Sequence, residues 1–422
     1  MVERGANSGS ACCCSMRHQL LACVVFMSDR SAVRRLALGD FLSSTGSGIA
    51  AVALSFFVYQ ETDSAIWLAG TLFFTFGVAG LITPFAGKIA DHYDRRRVMI
   101  ASDLLSLATW AMLIFTREPA LLAGIGFVAT VVSLPYWLAA EASIPNLVEE
   151  ADLPWANGLV SAAGSTARLL GPALGGALFA LGGAGLAFGV NAASFGVSAI
   201  VTLSLRGRSF SAERSEDDEQ PSGAFEGFRV IRAEPMLLWI TISWTLMWFA
   251  MNIAFVADPP LATGFGVGAF GYGMIDTFFG AGALIGALLA MRIIHGRERL
   301  WIAAGMAAVA AGWATIAITP WFALVLVASG LTAAIDAVGT VAGRTVIQRR
   351  TADAVRGRVF AAQSSAGLGA NMVGFVVVGP LVQAFGPRAV YGLGAGVALI
   401  ATITFLVPTA HLLMVRTDRP PI

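Results

Sequence analysis

Four ionisable residues sit inside long apolar runs of this sequence: Asp40, Arg168, Asp276 and Asp336. Even the lower insertion scales put the cost of a central Asp or Arg in hydrocarbon at about 2.5–3.5 kcal/mol, so each should face protein or a water-filled cavity. A carboxylate held there can take up and release a proton as its surroundings change, and a cation brought near it favours release. All four are candidates for proton coupling. Asp276 is the preferred carrier because no cation lies near it in sequence, Arg168 is the cation expected to meet it, and Asp336 comes next. Beside this stands a plainer reading, in which each charge is a buried polar contact holding helices together.

Signs of enzyme chemistry are absent from the sequence. The four histidines, His18, His92, His295 and His411, are scattered and suggest no metal cluster. There is no Gly-x-Ser-x-Gly elbow and no Walker sequence, because Gly87-Lys88 lacks the preceding glycine. "GVGAFG", Gly266 to Gly271, matches a dinucleotide fingerprint in form only, since it follows an apolar run and not a strand. No cofactor, metal or nucleotide is expected.

The elements that must position these charges follow from composition. The chain is 57% hydrophobic and 13% charged, with mean hydropathy +0.75. A soluble domain carries about 25% charged residues. Twelve apolar runs can be marked, at 37–60, 64–86, 98–116, 120–140, 156–182, 184–205, 236–256, 269–291, 300–318, 321–342, 359–384 and 389–413. A bilayer core takes roughly 20 residues per helix, and only helices satisfy their backbone within it. The expected class is therefore an all-α polytopic membrane protein with the lipid bilayer as its solvent. A net charge of +1 leaves no nucleic-acid footprint.

Lys and Arg gather before the first run, after the second, sixth, eighth and tenth, and beyond the twelfth, whereas the opposite loops hold only Arg117 and Arg388. The positive-inside bias places both termini in the cytoplasm. The chain also repeats itself. Basic clusters recur at Arg95 and Arg297, 202 positions apart, and Gly-Pro recurs at Pro172 and Pro380, 208 apart. The expected organisation is a cytoplasmic segment 1–35, a six-helix bundle 36–205, a polar linker 206–235, a second bundle 236–415 and a tail 416–422. Within the linker, "AFEGFRVIRAEP" spaces Phe225, Phe228 and Ile231 along one face, which reads as a short amphipathic helix lying on the membrane or, more plainly, as a mere lead into the seventh run. At the start, all four cysteines (Cys12, Cys13, Cys14 and Cys23) precede Met27, and the run Leu20 to Phe26 is too short to span. Met27 is the expected translation start, and no metal or disulfide role is assigned to the cysteines.

Between the second and third runs, "GKIADHYDRRR" (Gly87 to Arg97) concentrates charge. Gly87 allows close helix approach, Asp91 sits where a helix end meets the cytoplasm, and Arg95, Arg96 and Arg97 follow. A carboxylate at a helix N-terminus gains about 0.3–1 kcal/mol from the dipole, up to about 2 when partly buried. Charges so placed can latch two halves in one conformation and release them in another. The stretch closely resembles the corresponding loop of the major facilitator superfamily. That resemblance implies that Asp91 caps the eleventh helix and pairs with the motif arginines and an acid of the fourth. Glu141, near an end of the fourth run counted as outward, is the nearest such acid. Asp103, one turn into the third run, is the better-placed partner.

A second stretch, "GLVSAAGSTARLLGPALGG" (Gly158 to Gly176), resembles the antiporter motif of the same superfamily. Gly158, Gly171, Pro172, Gly175 and Gly176 are in place, and Ala167 stands where a glycine is usual. Small residues permit close helix packing and the proline bends the helix. In that family the motif marks export. Further stretches, "SIPNLVEEADLPWANGL", "GYGMIDTFFGAGALIGALL" and "RGRVFA", resemble the branch of macrolide, multidrug and enterobactin-type siderophore exporters. One departure is Gly46-Ser47, where many members have Gly-Asp, which leaves Asp40 as the acid of the first run.

The resemblance implies a twelve-helix, monomeric transporter of the inner membrane that exports a lipophilic or amphipathic small molecule in exchange for protons. Trp137, Trp244, Trp248, Phe278 and Phe279 are the candidate cavity aromatics. The alternatives are a receptor or scaffold that keeps the fold without transport, and a proton-coupled importer.

Overall fold

The computed structural model describes residues 30–205, 224–293 and 296–410, and every regular element among them is helical. The cysteines, Met27, the linker before Ala224 and the tail 416–422 lie outside the described residues. In chain order the helices are α1 (Arg30–Thr62), α2 (Ala65–Leu72), a π-helical turn (Phe73–Val78), α3 (Ala79–His92), α4 (Arg95–Leu113), α5 (Pro119–Leu147), a 3-10 turn (Glu150–Asp152), α6 (Leu153–Ser204), α7 (Ala224–Ala233), α8 (Pro235–Gly264), α9 (Gly268–Ile293), α10 (Glu298–Ile318), α11 (Phe322–Arg350) and α12 (Asp353–Thr409). Nine described helices are long and apolar enough to cross a membrane. Helix α4 is not among them, because Arg95, Arg96, Arg97 and Asp103 fill its first turns.

Helices α6 and α12, of 52 and 57 residues, each turn back on themselves at one glycine. Gly183 has φ 71° and Gly386 has φ 79°, both in the left-handed region that a Cβ disfavours. These two glycines are 203 positions apart, close to the offsets of the basic clusters and the Gly-Pro pairs.

Capping arginines repeat in the same way. Arg96 donates to the carbonyls of Thr202 (3.3 Å) and Leu203 (2.5 Å), at the end of α6. Arg299 donates to the Leu406 carbonyl (2.7 Å) and the Thr409 hydroxyl (3.0 Å), at the end of α12. Each guanidinium satisfies carbonyls that have no helical partner and meets the negative end of the helix dipole.

All of these contacts lie at one end of the molecule, the basic end. There Arg30 pairs with Asp152 at 2.6 Å, Arg349 with Glu298 at 2.7 Å, Arg350 with Glu234 at 2.5 Å, and Arg358 with Glu226. Every one of these pairs stays within residues 30–205 or within 224–410.

The amphipathic segment is helical, as α7, but it is docked on the protein. Ile231 is buried, and a Cβ on Gly227 would fall 2.1 Å from the Arg358 carbonyl oxygen of α12.

The two halves approach each other from the opposite end to the middle of the molecule. Val52 and Phe56 of α1 form one buried cluster with Ala262, Ala269 and Tyr272. Phe76 stacks on Phe255 with ring centroids 6.1 Å apart, and the Ala65 amide donates to Gln383 Oε1 at 2.8 Å. Glycines permit the closest crossings: a Cβ on Gly379 would fall 2.6 Å from Ala69 Cβ, and one on Gly273 2.3 Å from the Pro172 carbonyl oxygen.

Candidate functional site

Near the basic end of the first half lies a cavity of about 220 Å³, walled by α1, α5 and α6. Asp40 reaches it from α1, Trp137 and Glu141 from α5, and Asn157, Ser161 and Arg168 from α6. Trp137 and Glu141 are four residues apart, one helical turn, and so share a face. Both are exposed, Trp137 to 56%. Asp40 is half-buried and accepts a 3.4 Å hydrogen bond from the Ser44 hydroxyl. Arg168 bonds Ser165 at 3.2 Å, and its charge also attracts Asp40. Gly164 makes room for that meeting, since a Cβ there would lie 3.6 Å from Arg168 Nη1 and 3.9 Å from Asp40 Oδ2.

The fourth run was counted with its Glu141 end outward, and the fold reverses this. Arg95 Nη1 donates to the Ala142 carbonyl at 2.7 Å, which sets Glu141 at the basic end. The continuous helix α5 carries it there, past Pro135, to Leu147.

Among the latch residues, Arg95 and Arg96 are engaged with the carbonyl ends of α5 and α6, and Asp94 caps Arg97 N at 2.9 Å. Gly87 stands on α3 opposite Leu138. Asp91 is in the last turn of α3, and its side chain lies outside the described residues. Asp103 is not at the loop. It is 1% exposed inside the first half, beside Ser198 and Tyr136, and both its carboxylate oxygens lack a hydrogen-bond partner.

The Gly-Pro stretch of α6 forms a seam. A Cβ on Gly171 would lie 2.9 Å from Gly48 Cα, one on Gly175 2.7 Å from the Ile49 carbonyl oxygen, and one on Gly176 2.5 Å from the Ala269 carbonyl oxygen. One short sequence thus fits α6 against α1 on one side and against α9 of the other half on the second. Ala167 is fully buried where it replaces a glycine, whereas Gly158 is exposed with no neighbour in reach.

In the second half, Asp276 on α9 is half-buried, and no ion pair joins it to Arg168 in this conformation. Its charge is felt instead by Asp258, Tyr272 and Tyr391. Asp258, on α8, is 3% exposed and accepts a hydrogen bond from the Tyr391 hydroxyl of α12. It was not singled out in the sequence because Asp258-Pro259-Pro260 lies past the seventh apolar run, where two prolines signal a break. Helix α8 continues through them to Gly264. A carboxylate two residues beyond an apolar run was the available signal.

Asp336 is half-buried where α11 crosses α10 at Gly305. Trp244 and Trp248 are half-buried and lean on Gly343 of α11 and Gly367 of α12. Phe278 is 36% exposed and Phe279 half-buried, both on α9. The aromatic candidates therefore line no single space: Trp137 borders the first-half cavity, and the others belong to the second half.

A bundle of membrane-length helices with a glycine seam between halves and charged groups around a cavity is the architecture of a multi-pass membrane protein. The Major Facilitator Superfamily model matches residues 36–270 and 245–421, so the chain belongs to that family. It is 25% identical over 391 residues to the multidrug efflux pump Tap of Mycobacterium tuberculosis, covering 86% of this chain and 90% of the pump. It is also 25% identical over 396 residues to the enterobactin exporter EntS of Shigella boydii, covering 90% and 92%. Among solved structures, a bacterial homologue of the iron transporter ferroportin superposes with TM-score 0.75 at 18% identity, over 91% of this chain and 100% of that one. A bacterial homologue of the lysosomal transporter Spinster gives TM-score 0.71 at 14% identity, over 92% and 96%. These two likenesses bear on the fold alone.

Proposed function

We propose that this chain is a proton-coupled exporter of lipophilic or amphipathic small molecules, working by alternating access in the cytoplasmic (inner) membrane. The observation that carries the reading is the asymmetry between its ends. The halves interdigitate through glycines at one end, while at the basic end the ion pairs stay within each half and a cavity opens in the first half. That arrangement suits an inward-open state, with the basic end cytoplasmic as the positive-inside bias requires. Counting α6 and α12 as two spans each and α4 as one raises the nine membrane-length helices to twelve, in two bundles, 36–205 and 236–415. Both termini are then cytoplasmic.

Export is favoured over uptake by the Gly-Pro seam of α6 and by the efflux pumps and exporters among the relatives. Asp276 is the proposed proton carrier. It lies at the level where α9 packs against α6, so rocking of the halves changes its surroundings. The stretch Gly87 to Arg97 acts as the conformational latch. Its arginines fasten α4 to α5 and α6, which makes the first half a rigid body from which Asp91 can engage the second.

The test is substrate-driven proton movement in proteoliposomes containing the purified protein and an internal pH dye, over a panel of antibiotics and siderophores. Export predicts a pH change in response to at least one substrate, abolished by dissipating the proton gradient. No response to any compound would favour the non-transporting receptor, and movement of substrate along with protons would make the chain an importer.

A further inference from the structure

The first half buries a carboxylate that the transport reading does not use. Asp103 of α4 is 1% exposed, and neither of its oxygens has a hydrogen-bond partner. One turn further along the same face, the buried Ser106 hydroxyl has none either. Ser198 of α6 is the neighbouring hydroxyl, but it turns to the Tyr136 hydroxyl of α5 at 3.4 Å. The arginines of α4 are engaged elsewhere, Arg95 with the Ala142 carbonyl and Arg96 with those of Thr202 and Leu203. A charge buried in a protein is ordinarily paired or bound to a metal ion, and Asp103 has no pair among the described residues.

We infer that Asp103 anchors a sodium-ion site inside the first half, with the oxygens of Ser106, Ser198 and Tyr136 around it. These four side chains supply oxygens only, the ligands that hard cations take. A proton would meet the charge on Asp103 but leave the Ser106 oxygen without a partner, whereas a metal ion is shared by all. One carboxylate balances one monovalent ion, and a divalent ion would leave a net positive charge in an apolar interior. There is room on the α1 side, where a Cβ on Gly39 would lie 3.4 Å from Ser198 Oγ and 3.5 Å from the Tyr136 hydroxyl oxygen. Tyr136 also feels Asp40, the carboxylate on the wall of the cavity at the basic end, which gives a cation an approach from that side. A bound ion ties α4, α5 and α6 together at mid-height, above the point where Arg95 and Arg96 fasten the same helices. The proton-coupled reading puts its carrier on Asp276 of the other half, so either statement can fail without the other.

The test is equilibrium dialysis of radioactive sodium against the purified full-length protein, in choline chloride of constant ionic strength, choline being too large for a sealed site. The wild type should show a single saturable site, and its thermal unfolding should rise by about 2 °C or more as sodium replaces choline, because a ligand that binds only the folded state stabilises it. Asp103→Asn, which keeps the outline and removes the charge, should lose both the binding and the sodium dependence. Ser106→Ala and Ser198→Ala should each keep the site with affinity weakened by about tenfold, the ratio that corresponds to 1.4 kcal/mol. Absence of saturable sodium binding by the wild type, or sodium binding unchanged in Asp103→Asn, would overturn the inference. Should Asp103→Asn not be recovered as a monodisperse protein, unchanged sodium affinity in both serine variants would overturn it equally. Failure of the transport reading looks different: sodium binds and depends on Asp103, yet no compound moves across proteoliposome membranes.

Discussion

The acidic groups of the two halves live in contrasting surroundings. In the first half Asp40 and Glu141 border an open cavity and share it with a cation. In the second, Asp258 is sealed among α8, α9 and α12, with a tyrosine hydroxyl as its donor and Asp276 near enough to repel it. Water and Arg168 can stabilise charge in the first group at little cost. In the second, two like charges stand close together with a single tyrosine hydroxyl as donor. Under the proposed proton-coupled export the contrast would be a division of labour between halves, with one group offering charge to a ligand and the other storing or releasing a proton.

The largest effect should come from removing Asp276, the carboxylate of the second group on the helix that packs against the other half. Asp276→Asn should abolish uphill, proton-driven export in proteoliposomes while sparing substrate binding and downhill exchange. Asp40→Asn, the corresponding change in the first half, should lower affinity and leave coupling in place. If Asp276→Asn still concentrated substrate with a normal pH dependence, the division of labour would fail and Asp336 would be tested next.

Next in size is the seam that lets the two groups move relative to each other. Gly273 passes so close to the Pro172 carbonyl that Gly273→Val cannot fit without separating α6 from α9. Overpacking of this kind costs about 1–3 kcal/mol, enough to shift a two-state equilibrium by about fivefold or more. A cysteine at Ser55, beside the buried seam cluster, should then react faster with an impermeant thiol reagent from outside. Unchanged reactivity would mean that the halves do not part along this line.

A smaller effect is expected from Tyr391→Phe. It keeps the ring that packs edge-on against Trp313 but leaves Asp258 buried without its donor. An unsatisfied buried polar group costs about 1–3 kcal/mol. Thermal unfolding of the detergent-purified protein should shift downward, and Asp258→Asn, which has no charge to leave unpaired, should be milder. Equal stability of Tyr391→Phe and wild type would mean that the carboxylate has found another partner and is not sealed.

How much of this arrangement was legible in the sequence follows from the kind of signal each part leaves. Apolar length marked the helices, and Gly171, Pro172, Gly175 and Gly176 marked the seam, because close packing admits few residue types. Direction around a helix and contacts between distant segments left weaker traces. Arg168 could have faced Asp276 or Asp40 with equal ease on paper, and only the crossing of α6 with α1 at Gly164 decides. Asp258 was missed because Pro259 and Pro260 read as a helix end, although α8 runs on through both of them to Gly264. Glu141 was placed outward although, with both termini cytoplasmic, the fourth of twelve runs ends on the basic side, so the charge pattern itself already located it.

The smallest expected effect probes what the halves share. Arg96 and Arg299 each bond the carbonyl end of the last helix of their half, and the repeat makes them equivalent by position. A cation at a helix C-terminus contributes about 0.3–1 kcal/mol at exposed sites, so neither Arg96→Gln nor Arg299→Gln should prevent folding. If the halves differ only in their acidic groups, the two variants should lower thermal stability by similar small amounts. Arg96 belongs in addition to the proposed latch stretch, whereas Arg299 does not. Transport should therefore fall further in Arg96→Gln than in Arg299→Gln at matched stability, as read by export rate per folded protein. Equal losses would reduce the stretch from Gly87 to Arg97 to a helix-capping and topology signal, and would leave the glycine seam to carry the switching.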